Sequence, residues 1–118
     1  MINILIADDD SSIRLYFEKI LKQTKAKVYF AKDGIEAVDM YRSVPNIDIV
    51  LMDIQMPVMN GLDAFHEIMK YNPSVKVIAQ TAFALQEEKL KYIRSGFVSY
   101  LAKPIKRDAL FFELSKYI

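Results

Sequence analysis

The stretch Ile47-Asp48-Ile49-Val50-Leu51-Met52-Asp53 decides the fold, and it is followed by Ile54-Gln55-Met56-Pro57-Val58-Met59-Asn60-Gly61. An apolar, β-branched run of this length is typical of a short strand that is buried on both faces. The proline and the Asn-Gly pair after it indicate a loop. Asp53 therefore lies at the carboxyl end of a strand. In an open parallel α/β sheet, ligands and chemistry collect at that end, because the strand tips and their loops form a crevice.

The composition favours one compact domain over residues 1–118. The chain has 53% apolar residues, 26% charged residues and no cysteine, which is sufficient for a core without disulfides. The net charge of +1 gives no electrostatic reason to expect direct nucleic-acid binding. The apolar runs are strand-sized, and the N-terminus lacks the basic start and long apolar stretch of a signal peptide. We therefore expect no membrane insertion and a cytoplasmic location.

Apolar periodicity predicts five strands that alternate with five helices, which implies a parallel sheet covered by helices on both faces. The predicted strands cover residues 3–7, 28–31, 47–53, 75–79 and 98–102. Four helices have predicted inward-facing residues. These are Ile13, Phe17, Ile20 and Leu21 on the first helix and Ile35, Val38 and Tyr41 on the second. On the third helix they are Leu62, Phe65, Ile68 and Met69, and on the fifth Leu110, Phe111 and Leu114. The fourth helix is predicted to carry Leu85, Leu90 and Ile93 and to end at Gly96. Asp10, Ser11 or Ser12 can cap the first helix.

Polar residues follow these strands at their tips. If strands 1, 3, 4 and 5 are parallel neighbours, Asp8, Asp9, Asp53, Thr81 and Lys103 meet at one edge of the sheet. Three carboxylates repel one another, by roughly 4 kcal/mol per pair at about 4 Å, so a cation must lie among them. Oxygen ligands suit a hard divalent cation such as Mg²⁺, with Mn²⁺ as an alternative. A carboxylate beside such a cation and Lys103 is equipped to attack a phosphoryl group and form an aspartyl phosphate.

A set of motifs along the whole chain resembles the receiver domains of two-component response regulators. The motifs are Asp8-Asp9, Asp53 with Met56-Pro57 and Gly61 after it, Thr81-Ala82, and Tyr100 three residues before Lys103-Pro104. Each motif is weak by itself, but all of them occur in order at compatible spacing. The resemblance implies a flavodoxin-like (βα)5 domain like that of the chemotaxis regulators, with strand order 2-1-3-4-5. Residues 53–64 also resemble the receivers of hybrid histidine kinases.

The resemblance implies a role for each site residue. Asp53 would accept a phosphoryl group from a phosphohistidine on a histidine kinase or a histidine phosphotransfer domain, in a step that needs Mg²⁺. Asp9 would bind the metal directly, Asp8 largely through water, and Gln55 through its backbone carbonyl, and Asp53 would belong to the same metal site. Lys103 would pair with the acceptor and then with the phosphoryl oxygens.

The resemblance also implies a switch. Thr81 would swing in to hydrogen-bond the phosphoryl group, Tyr100 would move from an exposed to a buried rotamer, and the bond before Pro104 would be cis. Phosphorylation would then favour one arrangement of the helix 4, strand 5 and helix 5 surface, which a downstream effector reads. A phosphorylation-dependent homodimer is an open alternative. Bulky Phe83, two residues after Thr81, is expected to shield the acyl phosphate from water and so to slow self-dephosphorylation.

Three other functions are considered. Phosphatases of the haloacid dehalogenase type also use an Asp nucleophile with Mg²⁺, but they place it after the first strand with a second Asp two residues later; Asp8 and Asp10 have that spacing, yet Asp10 suits a helix cap better. A flavodoxin-like FMN carrier would need a Ser/Thr/Gly-rich phosphate cradle after the first strand, which is lacking. A degenerate receiver that only docks partners is disfavoured by the intact site. We therefore expect a signalling module, not an enzyme, whose only chemistry is self-phosphoryl transfer and self-dephosphorylation.

Overall fold

Five strands and five helices alternate in the computed structural model, which describes residues 2–82 and 85–117, without the side chain of Gln86. The strands are β1 (Asn3–Ala7), β2 (Lys27–Ala31), β3 (Ile49–Asp53), β4 (Val77–Thr81) and β5 (Ser99–Ala102). The helices are α1 (Ser11–Leu21), α2 (Gly34–Ser43), α3 (Gly61–Tyr71), α4 (Gln86–Ser95) and α5 (Arg107–Ser115). Phe83, for which a shielding role is predicted, lies outside the described residues.

The strands form one parallel sheet in the order β2-β1-β3-β4-β5, which confirms the predicted topology. Because β3 is central, all five of its residues are buried. In the sheet register, Asp53 of β3 lies beside Gln80 of β4, and Gln80 lies beside Leu101 of β5. The carboxyl ends of β1, β3 and β4 are therefore brought to one edge, as the sequence predicts.

Side chains alternate between the two faces of the sheet and form two cores. On one face, residues such as Leu5, Val50 and Met52 pack against α2, α3 and Tyr92 of α4. On the opposite face, Ile4, Ile6, Leu51, Ile78 and Leu101 pack against Phe17 and Leu21 of α1 and Leu110 and Leu114 of α5. This two-sided burial explains why the central strands are almost continuously apolar.

Local signals set the ends of several helices. The Asp10 side chain accepts a hydrogen bond of 2.8 Å from the Ser12 backbone N–H and caps α1, so one of the three predicted caps is used. Asp33 caps α2 and Asn60 caps α3 in the same way. At the other end of α4, Gly96 has a φ of 113° and supplies the predicted left-handed residue.

Two predictions about helix faces are wrong. Ile35 is 46% exposed. The side of α2 that packs on the sheet carries Gly34, Ala37, Val38 and Tyr41, and Ile35 lies outside it, about 100° around the helix from Gly34. Leu85 is 69% exposed and precedes α4, whose first residue is Gln86. Leu90 and Ile93 do lie on α4 but are also exposed. In the described part of the chain, no helix is long and apolar enough to cross a membrane.

Candidate functional site

Three carboxylates meet at the carboxyl edge of the sheet. Asp8 and Asp9 follow β1 and Asp53 ends β3, and one oxygen of each lies within 4.8 Å of the other two. Asp8 is 0% exposed and Asp53 is 3% exposed, whereas Asp9 is open to solvent. The strand order thus brings together the three acidic residues that the sequence analysis singled out.

Lys103 supplies a positive charge to this cluster. Its Nζ lies 3.0 Å from Asp53 Oδ2 and 3.3 Å from Asp8 Oδ2. The backbone N–H of Lys103 donates to the Thr81 carbonyl oxygen, which fixes the start of its side chain to the end of β4. Since β4 lies between β3 and β5, the lysine side chain crosses the tip of β4 to reach Asp53. One ammonium cannot neutralise three carboxylates, so the site remains acidic.

The surroundings shift the pKa values of both partners. Burial raises the pKa of Asp53 above its ordinary value, and the charge of Asp8 adds to this; the hydrogen bond from Lys103 opposes it without overcoming it. Burial by itself would lower the pKa of Lys103, but the hydrogen bond to Asp53 and the negative charges of both aspartates outweigh burial and raise it. Lys103 is therefore firmly protonated, while the charge on Asp53 is only partly compensated.

Hydrogen bonds orient the two buried carboxylates. Asp53 Oδ1 accepts from the backbone N–H of Gln55 at 3.1 Å, and Asp8 Oδ1 accepts from that of Asp10 at 2.9 Å. Arg14 holds the backbone in place, because its Nη1 donates to the Asp8 carbonyl oxygen at 2.7 Å. Sequence reasoning missed Arg14; the signal was a cation one helical turn after the capping residue.

The cluster fits a hard divalent cation. Within residues 2–82 and 85–117, Asp8 Oδ2 accepts no hydrogen bond although it is buried, and it has only the Lys103 ammonium opposite. Asp8 shares this one ammonium with Asp53, so its buried charge is only partly compensated, and a divalent cation at the cluster would offset the cost of burying it. Three carboxylates and nearby backbone oxygens are the ligand type that Mg²⁺ and Mn²⁺ prefer. Gln55 is exposed, and the use of its carbonyl as a ligand stays a prediction.

The loop between β3 and α3 is closely held behind Asp53. Gly61 donates its N–H to the Ile54 carbonyl oxygen, and a Cβ on Gly61 would overlap the Asp53 carbonyl. Gly34 at the start of α2 donates to the Met59 carbonyl oxygen at 3.0 Å. Val58 has a φ of 70° and an exposed side chain, a strained conformation for a β-branched residue. This loop also lines an open cleft of about 600 Å³ beside Asp9.

The predicted switch residues lie beside the cluster. Thr81 is buried at the end of β4, and Tyr100 is half-buried on β5 with Lys89 Nζ of α4 4.9 Å from its ring centroid. The Lys103–Pro104 peptide bond is cis, as expected. The movements predicted for Thr81 and Tyr100 stay predictions. Lys89 was missed, because a cation–π contact between two elements leaves no local pattern in the sequence.

Comparison with known proteins assigns the family. Residues 4–115 match the model of the response regulator receiver domain. The chemotaxis protein CheY of Listeria monocytogenes is 37% identical over 117 residues, which cover 98% of each chain. The transcriptional regulatory protein ZraR of Klebsiella oxytoca is 33% identical over 98% of this chain, which spans only 26% of the length of that relative.

Solved structures agree in fold. The receiver domain of the sensor histidine kinase PA1611 from Pseudomonas aeruginosa, with a magnesium ion coordinated in its active-site cleft, superposes with a TM-score of 0.87 at 33% identity, covering 98% of this chain and 95% of that one. The receiver domain of Ssk1 from Saccharomyces cerevisiae, solved with the histidine phosphotransfer protein Ypd1, gives a TM-score of 0.89 at 29% identity, covering 98% and 88%. This chain belongs to the response regulator receiver domain family, the signalling modules of two-component and phosphorelay systems.

Proposed function

We propose that this receiver domain takes a phosphoryl group from a phosphohistidine onto Asp53. The observation that carries the proposal is the buried Asp53 carboxylate, which has an ammonium 3.0 Å from one oxygen and two further carboxylates within 4.8 Å. A structural aspartate would gain nothing from so many like charges, whereas a nucleophile beside a cation site requires them.

The transfer requires a nucleophile and a charge partner from this chain. A carboxylate oxygen of Asp53 attacks the phosphorus, a new O–P bond forms, and the P–N bond to the donor histidine breaks with its electron pair returning to the imidazole. Lys103 neutralises charge that moves onto the phosphoryl oxygens. The backbone N–H of Gln55 keeps Asp53 Oδ1 oriented, so that the attacking geometry is set in advance.

Asp8, Asp9, Asp53 and the Gln55 backbone carbonyl would hold Mg²⁺, or Mn²⁺ in its place. When bound, the metal supplies charge stabilisation to the phosphoryl oxygens. The unsatisfied Asp8 Oδ2 and the charge left uncompensated by Lys103 support this assignment.

The output is a change of surface. Thr81 would hydrogen-bond the phosphoryl group and Tyr100 would follow it, so that phosphorylation favours one arrangement of α4, β5 and α5. Exposed Leu90 and Ile93 on α4 give a downstream effector an apolar surface to read. Loss of the phosphoryl group by hydrolysis at Asp53 resets the domain.

The partners follow from this chemistry. The complex of the Ssk1 receiver with Ypd1 supports a histidine phosphotransfer domain or a histidine kinase as the donor. The sequence similarity to the receiver domain of a sensor histidine kinase supports a role for this domain in phosphorelay signalling, either as part of a longer protein or alone. We expect neither direct nucleic-acid binding nor membrane insertion by this domain, and we expect a cytoplasmic location. A phosphorylation-dependent homodimer stays an open alternative.

Intact mass spectrometry after incubation with acetyl phosphate and Mg²⁺ tests the function. We expect the parent to gain one phosphoryl adduct, since Asp53 can attack acetyl phosphate with release of acetate. Asp53→Asn removes the nucleophile and should abolish the adduct, and a chelator should do the same to the parent.

Asp48→Asn is the matched control, because Asp48 lies at the opposite edge of the sheet, where its Oδ2 accepts from the Asn3 backbone N–H. It should be phosphorylated like the parent. An unmodified parent would contradict the proposal and favour a docking module. Continuous release of phosphate from phosphate monoesters would favour a phosphatase.

A further inference from the structure

Gln80 is an unusual residue for its position. It is 0% exposed, and neither its amide nitrogen nor its amide oxygen has a hydrogen-bond partner within the described residues. An unpaired buried amide destabilises the folded state, and an apolar side chain would avoid that cost. The neighbours of Gln80 on the same face, Ile78 and Leu101, are apolar and fully packed.

The fold places this amide under the site. Ile78 packs towards α1 and α5, so Gln80, two residues later on the same strand, has its side chain on that face. Asp53 follows Leu51 and Lys103 follows Leu101 with the same alternation. Gln80 pairs in register with Asp53, and the Lys103 side chain crosses β4 at its tip. The Gln80 side chain therefore leaves the sheet on the face that also carries the side chains of Asp53 and Lys103, level with Asp53 in the register.

The lysine needs a new partner after the reaction. An ammonium has three N–H donors; Lys103 uses one of them on Asp53 Oδ2, and Asp8 Oδ2 lies 3.3 Å away as an ion-pair partner. Phosphorylation converts the Asp53 carboxylate into a neutral acyl group and moves the negative charge outward to the phosphoryl oxygens. With the charge of Asp53 Oδ2 removed, the contact between Lys103 and that oxygen is lost, and the N–H group that made it needs another acceptor. A neutral acceptor nearby can replace that contact without reducing the charge available to the phosphoryl group.

We infer that Gln80 is a positioning residue for Lys103: its amide oxygen accepts a hydrogen bond from the ammonium when the phosphoryl group is on Asp53. This inference rests on the proposed function. It explains why the Gln80 amide is buried without a partner among residues 2–82 and 85–117, since Lys103 reaches it only in the phosphorylated form.

Gln80→Met tests the inference, because methionine has nearly the same shape and lacks the amide. Beryllofluoride with Mg²⁺ serves as the probe for the phosphoryl group, its binding is followed by fluorine NMR, and the melting temperature is measured without it. We expect affinity for beryllofluoride to fall about tenfold, the effect of losing one hydrogen bond to a charged group. The melting temperature of the unbound protein should rise by about 4 °C, since an unpaired amide is removed from the core.

Ile78→Met is the matched control, because it puts the same side chain on the same face of the same strand, away from the site. It should bind beryllofluoride like the parent. Unchanged affinity for beryllofluoride in Gln80→Met would overturn the inference. A lower affinity together with a lower melting temperature would overturn it as well, because it would indicate that the amide has a structural role. A parent that binds no beryllofluoride and gains no phosphoryl adduct would overturn the proposed function as well.

Discussion

The third and fourth βα units of this domain are neighbours in the sheet, but they are fixed to different degrees. After β3, Asn60 caps α3 with its side chain, and Gly34 and Gly61 donate backbone hydrogen bonds to the loop. After β4, the residue that precedes α4 is Leu85, which is exposed and provides no side-chain cap. Among the described residues of α4, Tyr92 is the one that is fully buried.

This difference separates two tasks. A nucleophile must stay in place, so the unit that carries Asp53 is held by a cap and close backbone contacts. Under the proposed function, the α4 surface takes two arrangements of similar free energy, which a helix without a side-chain cap permits. Among residues 2–82 and 85–117, the unit that carries Asp53 thus has more capping and backbone contacts than the unit that carries α4.

The largest effect on stability is expected from Gly61→Ala, which changes the loop between β3 and α3. The new Cβ would overlap the Asp53 carbonyl, so the loop must move away from the acceptor. We expect unfolding free energy to fall by about 3 kcal/mol, measured by denaturant titration. Gly96→Ala, at a residue with positive φ but more space, should cost only about 1 kcal/mol. Equal costs for the two variants would contradict the view that the third unit is the tightly constrained one.

A smaller effect is expected from removing the charge of Asp53. Burial raises its pKa, so the folded state binds the proton more tightly than the unfolded chain does. The charge therefore costs stability at pH 7, and this cost disappears as the pH falls through the raised pKa and below the ordinary value. Without divalent cations, Asp53→Asn should be more stable than the parent by about 1 kcal/mol at pH 7, and the gain should vanish in acid.

Thermal unfolding over a pH series measures this difference, with Asp48→Asn as the control for an exposed carboxylate. A variant less stable than the parent at pH 7 would show instead that the ion pair with Lys103 outweighs burial.

The smallest effect is expected from Leu85→Asp, which gives α4 the cap that α3 already has. An aspartate at this position can accept from the backbone N–H groups of the first turn and should stabilise the domain by about 0.5 kcal/mol. The reciprocal variant Asn60→Ala should destabilise it by about 1 kcal/mol. If the fourth unit is the adjustable one, Leu85→Asp should also weaken beryllofluoride binding, whereas a tighter complex would indicate that capped α4 is the phosphorylated arrangement.

The order of strands and the acidic cluster could be predicted because both follow from simple rules. Buried parallel strands are continuously apolar, and their polar ends collect at one edge, so Asp8, Asp53 and Lys103 could be grouped from the sequence. The exact strand order came from the resemblance to receiver domains, since periodicity alone does not set it.

Other features depend on neighbours that are distant in sequence. Ile35 has the apolar character of an inward residue, but the covered stripe of α2 is set by where the sheet lies beneath it. Gln80 is visible in the sequence as a polar residue in a strand, yet the fact that its amide has no partner in the described part of the chain emerges only when β3 and β5 are placed beside it. The contact of Lys89 with Tyr100 likewise joins two elements that have no common local pattern.

The lysine that crosses β4 also has a consequence for biosynthesis. Asp8 and Asp53 leave the ribosome long before Lys103, which follows the last strand. Until Lys103 is translated, the nascent chain carries Asp8 and Asp53 without their lysine partner, and a product truncated before Lys103 lacks that partner permanently. The ion pairs of the site therefore form only after translation has passed β5, and a chain that ends before Lys103 keeps the acidic residues without the cation that partly compensates them.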